Sequence, residues 1–138
     1  MKKNLILFLL TVLFATTIIA CKQQTPKQVK DSSQTKRDEI TANEFQQLIK
    51  TDSNLVILDV RTPEELTGPL GHINGVINIP LQVIDKRSGE LEKYKKDKIY
   101  VICRSGRRSG IATKILTQKG FNAINVLGGM INYNRIKK

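Results

Sequence analysis

Four short runs of continuous apolar, mostly β-branched residues constrain this chain more than anything else in it. They are Leu55-Val56-Ile57-Leu58, Val76-Ile77-Asn78-Ile79, Lys98 to Ile102, and Ala123-Ile124-Asn125-Val126-Leu127. Each has the length of a strand, and none alternates cleanly between apolar and polar. A strand of that kind is covered on both faces, as in a parallel sheet between two layers of helices. Helical stretches separate the runs. Thr41-Ala42-Asn43-Glu44 is a capping box that opens a helix through about Lys50, with Phe45, Leu48 and Ile49 on one face. Thr62-Pro63-Glu64-Glu65 starts another, with a Thr cap, Pro at the first position and acids on the positive end of the dipole. Leu81 to Tyr94 carries helical patches split by Ser88-Gly89. Ser109 to Lys119 is a helix stopped by Gly120, and Gly128-Gly129 leads into a short terminal helix. The expected architecture is α/β, an open parallel sheet flanked by helices on both faces. Ligands of such folds bind beyond the carboxyl ends of strands. Asp59 and Cys103 both fall there.

The third run ends on a cysteine: Ile99-Tyr100-Val101-Ile102-Cys103-Arg104-Ser105-Gly106-Arg107-Arg108-Ser109. A thiol at the end of a buried strand, facing a helix N-terminus and three arginines, sits where a thiolate is stabilised. An ordinary cysteine, with pKa near 8.5, is only roughly 3% ionised at neutral pH. Lowering that by two units takes about 2.7 kcal/mol of preferential anion stabilisation. The candidate sources are the helix terminus, the amides of residues 104–108, and Arg108, with Gly106 letting the loop curl inward. Arg104 and Arg107 either flank the mouth and attract anions or are simply solvated.

The amino terminus reads as an export signal. Lys2 and Lys3 precede the apolar run Leu5 to Ala20, short for a spanning helix of roughly 20 residues and suited to a signal sequence. It ends Ile18-Ile19-Ala20-Cys21, which resembles the lipobox of bacterial lipoproteins. The resemblance implies a lipid on the Cys21 thiol and cleavage before it. An uncleaved anchor is the alternative; the abrupt switch to polar sequence at Lys22 favours cleavage. Residues 21–39 are then a lipidated cysteine and a polar linker that cannot bury a core. Its unstructured part has a reach of roughly 20–25 Å. Either way the globular part, residues 40–138, ends up in the cell envelope, facing the periplasm or the exterior. With Cys21 assigned to lipid, Cys103 is a lone thiol. The chain carries a formal charge of +11. Its excess favours small anions or an anionic surface over nucleic acid, because no basic stripe is interleaved with aromatics and Trp is absent.

Four segments, in order, resemble a single-domain rhodanese: Leu58-Asp59-Val60-Arg61-Thr62-Pro63-Glu64-Glu65, Gly71-His72-Ile73-Asn74-Gly75-Val76-Ile77-Asn78-Ile79-Pro80, Cys103 to Ser109, and Leu127-Gly128-Gly129-Met130. The resemblance covers residues 40–138 and implies five parallel strands and transfer of a sulfane sulfur through a Cys103 persulfide. Arg104, Ser105, Gly106, Arg107 and Arg108 would bind a small anionic donor such as thiosulfate, and a thiol or cyanide would accept the sulfur. Asp59 and Arg61 would support the rim as an ion pair or touch substrate. No cofactor is implied. One histidine and one unlipidated cysteine cannot build a metal site. His72 is expected to pack and hydrogen-bond rather than act as a base.

Three features depart from the family pattern. Asn74 replaces a common Pro, two extra residues sit between Leu66 and Gly71, and Tyr133 is the nearest substitute for a terminal Trp. The nearest rival chemistry, that of cysteine phosphatases, places arginine six positions after the cysteine. Here that position is Ser109, which favours a loop sized for one sulfur over one sized for phosphate. A non-enzymatic persulfide carrier or docking module is the alternative of a different class.

Overall fold

The computed structural model of the protein describes residues 38–137. The apolar run before Cys21, Cys21 itself and the linker up to residue 37 lie outside the described residues. Five strands form one sheet: β1 Glu39–Thr41, β2 Val56–Asp59, β3 Ile77–Asn78, β4 Lys98–Ile102 and β5 Asn122–Leu127. Their order is β1-β5-β4-β2-β3, and every pairing is parallel. The expected parallel α/β sheet is therefore present. It reaches back into the stretch assigned to the linker, because Glu39 pairs with Asn125 and the Asp38 carbonyl accepts the Asn125 amide at 2.8 Å.

Side chains alternate across each strand and feed two cores. On β4, Ile99 and Val101 enter one and Tyr100 and Ile102 the other. The first core is closed by Ile84 of α3 (Ile84–Arg87), by Leu91, and by Ala112 and Leu116 of α4 (Arg107–Gln118). The second is closed by Phe45 of α1 (Ala42–Thr51) and by Met130 and Tyr133 of α5 (Gly129–Lys137). Helices thus cover both faces. Helix α2 is the single turn Pro63–Leu66 at the rim. Tyr133, the nearest substitute for the terminal Trp, is buried, with its ring 6.2 Å from that of Phe45.

Local signals act as the sequence indicates at the start of α1 and the end of α4. The Glu44 amide donates to Thr41 Oγ1 at 3.2 Å, and the Thr41 amide donates to the Glu44 carboxylate at 3.0 Å. Gly120 takes a φ of 85° just past α4, as a C-terminal glycine should. Helix α4 starts at Arg107 rather than Ser109, because Gly106, with φ 93°, makes the turn from loop to helix two residues earlier.

Candidate active site

Cys103 follows directly on β4, and the loop it opens is held from three sides. On the first, α5 supplies two donors: the Met130 amide bonds the Cys103 carbonyl at 2.8 Å and the Ile131 amide bonds the Arg104 carbonyl at 3.0 Å. Gly129, with φ 53°, makes that approach possible; a Cβ there would collide with the Cys103 carbonyl and the Arg104 backbone. On the second side, Gly106 lies against the β5–α5 turn, where a Cβ would come within 2.9 Å of the Gly128 nitrogen. On the third, α4 brings Ser109 beneath the sulfur.

The thiol is 1% exposed. The Gly106 amide donates to Sγ at 3.2 Å, and Ser109 Oγ lies 3.4 Å away. Burial alone pushes the Cys103 pKa up. The Ser109 hydroxyl and the amides of Ser109, Ser105 and Gly106 outweigh that and bring it below the ordinary thiol value. Of the amides at 104–108, those of Ser105 and Gly106 thus act on the sulfur. The sequence pattern does not single out the Ser109 hydroxyl as a donor; its position one helical turn from the loop is the signal that points to it.

The arginines divide. Arg104 and Arg107 are exposed. Arg108 is half-buried and bound by both nitrogens to the Glu65 carboxylate, at 2.6 Å each. It is coupled to Cys103 through its charge, but its hydrogen bonds go to α2. Glu65 in turn accepts the Thr62 amide at 3.2 Å. One acidic residue, placed at a helix start by its sequence, therefore ties the rim of β2 to the helix that follows the Cys103 loop.

Asp59 and Arg61 form a buried pair beneath the rim. The carboxylate accepts Arg61 Nη2 at 2.7 Å, Nε at 3.0 Å and the Arg61 amide at 3.0 Å. Arg61 also donates to the carbonyls of Gly71 at 2.8 Å and Glu65 at 3.3 Å. It thereby pins the segment containing the two extra residues. His72 sits on that segment with Nδ1 3.2 Å from the Leu66 carbonyl.

The Arg108 side chain holds Glu65 well below its ordinary value of 4.5, at about 2. A carboxylate whose folded pKa is depressed contributes stability that is whole above pH 4.5 and is lost as pH falls through about 2. Both partners are about a third exposed, so screening reduces the contribution to about 1–2 kcal/mol. Glu65→Gln should lower stability by that amount at neutral pH and by progressively less toward pH 2. Urea unfolding across that range checks it; a constant difference at all pH values would contradict it.

A family model described as "Rhodanese-like domain" matches residues 41–135. YrkF of Bacillus subtilis (strain 168), a candidate sulfur carrier protein, is 45% identical over 93 residues, which is 67% of this chain and 48% of YrkF. The chain thus spans about half the length of that relative. The thiosulfate sulfurtransferase PspE of Escherichia coli (strain K12) is 37% identical over 73 residues, covering 53% of this chain and 68% of PspE. Among solved structures, a rhodanese-related protein from Thermoplasma volcanium superposes with a TM-score of 0.63 at 35% identity, covering 71% of this chain and 91% of that one.

Proposed function

The chain belongs to the rhodanese-like domain family, and from that premise we propose that it is a sulfurtransferase working through a Cys103 persulfide. The observation that carries the reading is the sulfur itself, sealed at the end of β4 and given an amide and a hydroxyl as anion donors. In the first half-reaction the Cys103 thiolate attacks the outer sulfur of a donor such as thiosulfate. The donor's S–S bond breaks, sulfite leaves with the electron pair, and the enzyme holds Cys103–S–S⁻. In the second, a thiol or cyanide attacks the outer sulfur and the Cys103 thiolate departs. This is ping-pong covalent catalysis. The loop amides favour whichever sulfur carries the charge. Arg104 and Arg107, exposed at the loop, draw in the anionic donor. Arg108 acts through its field, from its bond with Glu65.

The proposed setting is the cell envelope, with a lipid on Cys21 tethering the domain to a membrane and residues 22–37 spacing it from the surface. The carrier alternative draws on the burial of Cys103 and on the likeness to YrkF. Incubation with thiosulfate and cyanide decides between them. Saturable thiocyanate formation with parallel double-reciprocal lines is expected. One sulfur gained per chain without turnover would assign a carrier, and no gain in intact mass would overturn both.

A further inference from the structure

The hydroxyl of Ser109 faces more acceptors than it has protons. Its Oγ lies 2.7 Å from Asn125 Oδ1, 3.1 Å from the Gly106 carbonyl and 3.4 Å from Cys103 Sγ. A hydroxyl donates once. Which acceptor receives the proton is decided one residue further out. Asn125 Nδ2 donates to Glu39 Oε1 at 3.2 Å, and a carboxylate can only accept. The amide is therefore held with its oxygen turned toward Ser109. Gly110 makes room for it, since a Cβ there would come within 3.3 Å of Nδ2. Ser109 and Asn125 are 0% and 3% exposed, and hydrogen bonds so sealed from solvent count for most.

We propose that Asn125 and Glu39 are positioning residues for the nucleophile, completing a line Glu39–Asn125–Ser109–Cys103 that sets how much of the Ser109 proton the sulfur receives. In the thiol state the hydroxyl donates to Asn125. When the sulfur ionises the hydroxyl swings to it, at the expense of an unpaired amide oxygen. Glu39 thus keeps the thiol more basic than the loop alone would make it, and a more basic sulfur is a better nucleophile once ionised. Of the other charged groups around the loop, Arg108 is engaged with Glu65 and Arg61 with Asp59, while Arg104 and Arg107 are exposed.

The inference deepens the sulfurtransferase reading and rests on it for its purpose, but it is tested on the thiol alone. The measurement is the rate of Cys103 alkylation by iodoacetamide against pH, on the full chain. Glu39 is exposed at the edge strand, so Glu39→Gln leaves the core untouched. The new amide can donate or accept, which frees Asn125 to turn Nδ2 toward Ser109 and releases the hydroxyl to the sulfur. The midpoint should fall by about half to one pH unit, giving about three- to tenfold faster alkylation below it. Ser109→Ala should raise the midpoint, and adding Glu39→Gln to it should change nothing further. Asp38→Asn, which removes the neighbouring charge and keeps the backbone bond from Asn125 to the residue 38 carbonyl, should leave the midpoint in place. An equal shift from Glu39→Gln with and without the serine, an equal shift from Asp38→Asn, or no shift from Glu39→Gln alone would each overturn the proposal. Failure of the protein to gain sulfur from thiosulfate would instead sink the sulfurtransferase reading and leave the alkylation result standing.

Discussion

Cys103→Ser should leave a folded protein that no longer moves sulfur. The side chain is 1% exposed, and a serine hydroxyl there is smaller than the thiol and still meets the Gly106 amide, so stability should change by about 1 kcal/mol or less. Chemistry changes far more. An alcohol is not ionised by the donors that suffice for a thiol, and its oxygen does not form the S–S bond in which the transferred atom waits. Thiocyanate formation should fall by about three orders of magnitude or more, as when other covalent nucleophiles are removed. The intact mass after thiosulfate treatment should show one added sulfur on the parent protein and none on the variant. A variant that still gained sulfur would place the nucleophile elsewhere.

The second large effect is on stability. Asp59→Ala removes the carboxylate that takes Arg61 Nε, Nη2 and the Arg61 amide, and leaves a guanidinium that is fully buried facing two carbonyls. An uncompensated buried charge of this kind costs about 3–5 kcal/mol. That is a large part of the total for a domain whose stability lies in the usual range of about 5–15 kcal/mol. Replacing both residues together, with methionine at Arg61, should cost less than the sum of the single changes because no lone charge remains. Urea midpoints for the three variants test this. A loss below about 1 kcal/mol for Asp59→Ala would show that water reaches the pair.

The parts of the fold that local chemistry specifies were readable from the residues. Strands β2 to β5 announce themselves as apolar runs, Thr41 with Glu44 and Thr62 with Pro63 mark helix starts, and Gly120 marks a helix end. Strand β1 does not. Glu39–Thr41 has one apolar residue, lies at the sheet edge, and exists because β5 offers it a partner, so nothing within the segment reveals it. The site divides in the same way. Cys103 and the curl at Gly106 follow from a short stretch of sequence, and the loop amides follow from the curl. Glu65 on Arg108 and Asn125 on Ser109 join residues 43 and 16 positions apart, and such pairings become visible when the sheet order is known. The arginine that looks from its spacing most like an anion clamp is the one claimed by a carboxylate across the rim.

The clasp on the loop by the amides of Met130 and Ile131 has a consequence for how the protein is made. Those two groups lie 27 positions after the carbonyls they hold, so they leave the ribosome after every residue of the loop. Until they arrive, the sulfur belongs to an incomplete chain and behaves as any other thiol. Any reactivity beyond that of an ordinary thiol is thereby tied to the docking of α5 on the loop.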